Sequence, residues 1–85
     1  MSEPKHDEAL VNNFLERISA LSVSAFDGAD VSGELAQIMR EAASRADAGT
    51  LQVLAQRLRE RAEAAEREGQ AVVRDTFAKA ATLAK

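Results

Sequence analysis

The stretch TLQVLAQRLRERAEAAEREGQAVVRDTFAKAATLA, residues 50–84, decides the architecture of this chain. Leu54, Leu58, Ala62, Ala65, Gly69, Val73, Phe77, Ala80 and Ala84 follow one another at steps of three or four, the spacing that aligns one face of an α-helix. The phase does not jump at Gly69. A glycine inside a helix costs about 1 kcal/mol relative to alanine, an amount that packing along the rest of the helix offsets. The spacing therefore favours one helix over 50–84, about 50 Å long. A break at Gly69 into two helices is the competing reading. The stripe carries large side chains at both ends and only Ala62, Ala65 and Gly69 in its middle, where a partner backbone can come close.

Upstream of Thr50 the same periodicity recurs twice. Val11, Phe14, Ile18, Leu21 and Ala25 form one stripe, widened by Leu10 and Leu15 to a face that can meet two neighbours. Ser2 and Pro4 suit a helix start, so this helix is expected over 4–25. Its opposite side, Asn12, Asn13, Glu16, Ser19 and Ser22, is polar but nearly uncharged. Asp27-Gly28 supplies turn chemistry, and Asp30 or Ser32 is available to cap a second helix over 33–47 with Leu35, Ile38, Met39, Ala42 and Ala46 on its inner face. Gly49 followed by Thr50 reads as a stop and a fresh N-cap. The fold class is all-α: a single domain over 1–85, built as a three-helix bundle or as a helical hairpin with a long C-terminal helix.

Composition agrees. About a fifth of the 85 residues are alanine, there is one proline, and Trp and Tyr are absent, a bias toward helix over strand. A chain this short builds a thin core, and with no cysteine it has no disulfide to compensate. Helix packing or association must supply the stability. No apolar run approaches the ~18 residues of a membrane span and no basic start precedes an apolar segment, so a cytoplasmic protein without membrane contact is expected. The net charge is −3, with residues 1–32 acidic on balance and 33–85 nearly neutral. A mildly acidic chain without a basic face lacks the phosphate-neutralising charge that nucleic-acid binding needs.

The parts of an active site are scarce. His6 is the only histidine and lies near the N-terminus, where an exposed, unoriented side chain is expected. One histidine and no cysteine leave no zinc set within one chain. Asp30, Ser32 and Glu34 alternate like the opening of a calcium loop, but the sixth place holds Leu35 where glycine is required, and helix capping accounts for the same residues. Gly28, Gly33, Gly49 and Gly69 are scattered, and none opens a phosphate loop. The run Arg57 to Glu63 alternates in sign, so Arg59 with Glu63, and Glu63 with Arg67, are expected to pair along a solvated helix face. No catalytic residue, cofactor or metal is expected.

What remains is interaction. The leading reading is a small non-enzymatic protein–protein interaction or oligomerisation module, coiled-coil-like in its helix pairing, whose partner is another protein or a further copy of the chain. Phe14, Ile18 and Leu21 on the first helix and Ala62, Ala65 and Gly69 on the last are its candidate contact residues. An alternative is a small acidic inhibitor or antitoxin-like protein that covers a partner's active surface. A further alternative comes from Asp47 to Lys85, where Leu51, Leu54 and Leu58 lead toward Val72-Val73-Arg74-Asp75. This stretch, under half the chain, is similar to type III secretion needle subunits in its hairpin with a Leu-rich helix and in its tail. The resemblance implies a filament subunit. The chain departs from that pattern in having Ala48-Gly49 where a proline marks the turn, and only Phe77 as an aromatic in the last segment.

Overall fold

Four helices account for most of the chain in the computed structural model, which describes residues 5–84: α1 Glu8–Phe26, α2 Ser32–Arg45, α3 Ala48–Arg67 and α4 Ala71–Leu83. No strand occurs among the described residues. Ser2 and Pro4, read as the start of the first helix, lie outside them. Residues 5–7 precede α1, and Asp7 is its N-cap, its carboxylate accepting from the Leu10 N–H at 3.2 Å.

The continuous helix over 50–84 is not formed. Glu68 closes α3, Gly69 takes φ +73°, and Gln70 leads into α4. The Gln70 N–H donates to the Ala65 carbonyl at 2.9 Å and the Gly69 N–H to Glu66 at 3.1 Å, the paired bonds of a Schellman motif. Only glycine enters the left-handed region without steric penalty. The same construction ends α1: Gly28 has φ +99°, and the Ala29 and Gly28 N–H groups donate to Ser24 and Ala25. A straight helix of about 50 Å would also exceed the molecule, whose longest extent is 36 Å.

The reading of Gly49-Thr50 as a stop and cap is likewise corrected. Asp47 is the N-cap of α3, accepting from the Thr50 N–H at 2.8 Å, and Thr50 sits within the first turn. Gly49 is there because the N-terminal segment crosses over it. A Cβ at this position would lie 2.6 Å from the Lys5 carbonyl oxygen, and the Asp7 N–H donates to Thr50 Oγ1 at 3.0 Å. Buried Thr50 therefore ties the strap before α1 to the start of α3.

The core draws on every helix. Val11, Phe14, Leu15 and Ile18 of α1 meet Leu35, Met39 and Ala42 of α2, Val53, Leu54 and Leu58 of α3, and Phe77, Ala80 and Ala81 of α4. The wide face of α1 has the use its width implied, since α1 packs against α2, α3 and α4. α4 also reaches all three other helices and lies chiefly along α3. Among the described residues no helix is long and apolar enough to cross a membrane.

Candidate protein interface

Of the six candidate contact residues, four are buried by the chain's own helices. Phe14 and Ile18 are 0% exposed and offer no surface in this conformation. Leu21 is partly buried against the same core. Ala62 and Ala65 are buried too, and Ala62 lies opposite Ala78 and Ala81 where α3 and α4 run together. The close approach expected from the small residues thus occurs inside one chain. Gly69 takes no part in it: a Cβ there would meet nothing within 4 Å. Its role is conformational, not steric, and the six residues form no common surface.

The exposed apolar surface lies elsewhere. Val23 is 61% and Phe26 67% exposed at the end of α1, and Val72 is 41% exposed in the first turn of α4. Val23 and Phe26 stand over a cleft of about 440 Å³ whose floor is Val73 and Phe77, with Ser19 and Gln70 at its sides. No charged residue lines it. Val72 lines a different recess with Val31 and Leu35, whose walls also carry Asp30, Asp75 and Lys79. Two hydroxyls near the cleft are satisfied internally: Ser22 Oγ donates to the Ser19 carbonyl at 2.6 Å and Thr76 Oγ1 to the Val72 carbonyl at 3.0 Å. Ser22 is consequently buried, not part of the solvated face where periodicity placed it. Internally satisfied hydroxyls leave apolar wall exposed to water, which has little to hydrogen-bond there.

Helix geometry places these residues. Val23 and Phe26 continue the flank of α1 begun by Leu15 and Ser22, past the point where α4 ends its coverage, because the Schellman turn at Gly69 starts α4 alongside the last turns of α1. Sequence reasoning missed them by ending the first helix at residue 25, which left Phe26 outside it and Val23 off its stripe. The available signal was a Phe and a Val off the main stripe in the last turn of a helix, with no polar residue replacing them.

Charged groups are engaged between helices. Glu41 accepts from Arg17 of α1, at 3.0 and 3.1 Å, and from Arg45 of its own helix at 2.8 Å. Both guanidiniums also stand over the Phe14 ring, 5.1 and 5.7 Å from its centroid. The Arg17 and then the Arg45 hydrogen bonds hold the Glu41 carboxyl at about 2, well below its ordinary 4.5. Glu8 is held at about 2 in the same way, first by Arg57 of α3 and then by His6. His6 is therefore not an unoriented end: its side chain is 13% exposed and Nε2 lies within hydrogen-bond reach of Glu8. Arg74 bridges the last turn of α3 through Glu66 at 2.6 Å and pairs with Asp75. The expected pairs within the charge run do not form: among the described residues Glu63 bridges neither Arg59 nor Arg67, and the run's ion pair is the long-range Arg57–Glu8 at 2.6 Å.

Asp30 and Ser32 do not shape a cation loop. Asp30 accepts from the Ser32 N–H and hydroxyl at the start of α2, which lowers its pKa, and Ser32 through Glu41 are helical. No group of three or more His, Cys, Asp or Glu among the described residues could hold a metal ion. Compared with known protein families, curated proteins and solved structures, the chain matches none of them.

Proposed function

We propose that this protein is a small helical interaction or oligomerisation module that engages another protein through the end of the molecule bearing Val23, Phe26 and Val72. The observation that carries this reading is the charge-free cleft of about 440 Å³ with an aromatic side chain two-thirds exposed at its rim. An uncharged apolar cleft is cheap to desolvate, and a rigid exposed aromatic supplies the kind of anchor on which interface energies concentrate. Phe26 and Val23 are exposed together along the same uncharged cleft, and contiguous apolar surface of this kind marks interaction sites. The acidic inhibitor reading draws less support, because Glu8, Glu41, Glu66 and Asp75 are taken up by arginines of the same chain instead of being massed on one face.

The test is molar mass by light scattering over a concentration series, for the chain and for Phe26→Ser, alone and with any captured partner. Association that Phe26→Ser weakens at least tenfold, with unchanged helicity, supports the module and its surface. Association indifferent to Phe26→Ser, or a monomer that binds no protein, overturns it.

A further inference from the structure

The relation between Gly69 and the stripe running through it supports an inference independent of the Phe26 cleft. We infer that the α3–α4 hairpin can open at Gly69 into one long helix, and that two open chains form a dimer in which each α4 occupies the seat left by the other's α4.

Three observations converge on this. The inward residues of α3 and α4 lie on one continuous helical phase: Leu54, Leu58, Ala62 and Ala65 carry on to Val73, Phe77, Ala80 and Ala84. Straightening the hinge therefore keeps both buried faces on the same side, directed at a second copy. Second, the hinge is short and lightly held. Glu68, Gly69 and Gln70 are exposed, no side chain packs over Gly69, and the turn is held by backbone hydrogen bonds for which a continuing helix would supply its own i to i−4 ladder. Third, the side-chain tie across the hinge, Arg74 to Glu66, exists only in the closed form, because residues eight apart on a straight helix are separated by about 12 Å along its axis. Its partners are 37% and 61% exposed, so it is a weak latch.

In the exchanged dimer Phe77, Ala80, Ala81 and Ala84 recover the burial they have in the monomer, against the partner's α1 and α3. The balance is then set by the hinge itself and by concentration, the general condition for exchange of an identical element. Glycine favours the closed turn, being free to adopt φ +73° and poor in a helix. Alanine reverses both preferences. Gly69→Ala should favour the open hinge by about tenfold or more per chain, and tighten a two-hinge dimer by about a hundredfold or more. Gly69→Asn, which tolerates the left-handed region, should stay close to the parent.

The experiment uses the absence of native cysteine. Arg59→Cys and Thr82→Cys, which border one cleft in the closed hairpin, carry a donor–acceptor pair, and each doubly labelled chain is diluted into excess unlabelled chain. In the open helix the two positions stand about 35 Å apart. Molar mass and intrachain transfer efficiency are read for Gly69→Ala, for Gly69→Asn, and for the parent refolded from denaturant at high and low concentration. A dimer with the separation of the open helix, in Gly69→Ala or in the parent refolded at high concentration, supports the inference. Short separation in both overturns it. A dimer that keeps the short separation assigns association to an outer surface such as the Phe26 cleft, leaving the proposed function standing without the exchange.

Discussion

Arg17 of α1 and Glu41 of α2 face each other as a two-point pair, Nη2 to Oε1 at 3.0 Å and Nη1 to Oε2 at 3.1 Å, with the Arg17 guanidinium stacked on Phe14 beneath. Glu41 and Glu8 are the two carboxyls held near 2 against an ordinary 4.5, each by an arginine from another helix. Both bind protons less readily folded than unfolded. The stability they contribute is complete above about pH 4.5 and is lost as pH falls toward 2. Thermal unfolding followed from pH 7 downward should show a falling midpoint in that window, smaller at high salt because both groups are solvent-accessible. The combined Glu8→Gln and Glu41→Gln variant should lose most of the acid limb; an unchanged limb would show that these pairs do not matter to stability.

Arg57 and Arg59 are two residues apart and should behave differently. Arg57 is half-buried and reaches Glu8 on α1, whereas Arg59 is exposed and forms no ion pair among the described residues. Arg59→Ala should change stability by less than about 0.5 kcal/mol. Arg57→Ala should lower the melting midpoint distinctly more and release the strap that precedes α1. Equal effects of the two substitutions would refute the assignment.

The two phenylalanines of α1 offer a sharper contrast. Phe14 is fully enclosed, so Phe14→Ala should cost about 3–5 kcal/mol, much of the stability available to a domain of this size. Phe26→Ser, at a position 67% exposed, should shift stability by no more than about 0.5 kcal/mol while reducing association. Denaturant unfolding of both variants checks the pair.

Thr50 supplies a fourth expectation. Its hydroxyl accepts the Asp7 N–H and its own N–H is held by Asp47. Thr50→Val keeps the shape and removes the acceptor, leaving Asp7 unpaired in a partly buried place, which should cost about 1–3 kcal/mol. Gly49→Ala should likewise displace the strap, since its Cβ would meet the Lys5 carbonyl. Amide exchange at Asp7 is the direct readout: it should accelerate in both variants ahead of the core amides.

Much of this architecture was legible before any coordinates. The stripes through Phe14 and Ile18 and through Leu35 and Met39 are helical because side chains three and four apart share a face, and Asp27-Gly28 ends α1 because a left-handed residue is needed there. Helix, turn and cap are local matters, decided within a few residues. The break at Gly69 was not legible, because locally the alternatives differ by little: a glycine accepts both the turn and, at about 1 kcal/mol, the helix. Tertiary burial decides it, since folding α4 back covers Phe77, Ala80, Ala81 and Ala84 with α1 and α3, which a lone straight helix would leave in water. The exposed Val23 and Phe26 follow from the same choice. Periodicity identifies apolar residues, but which of them remain uncovered depends on where the last helix starts and what it reaches, and that is a property of the packed chain alone.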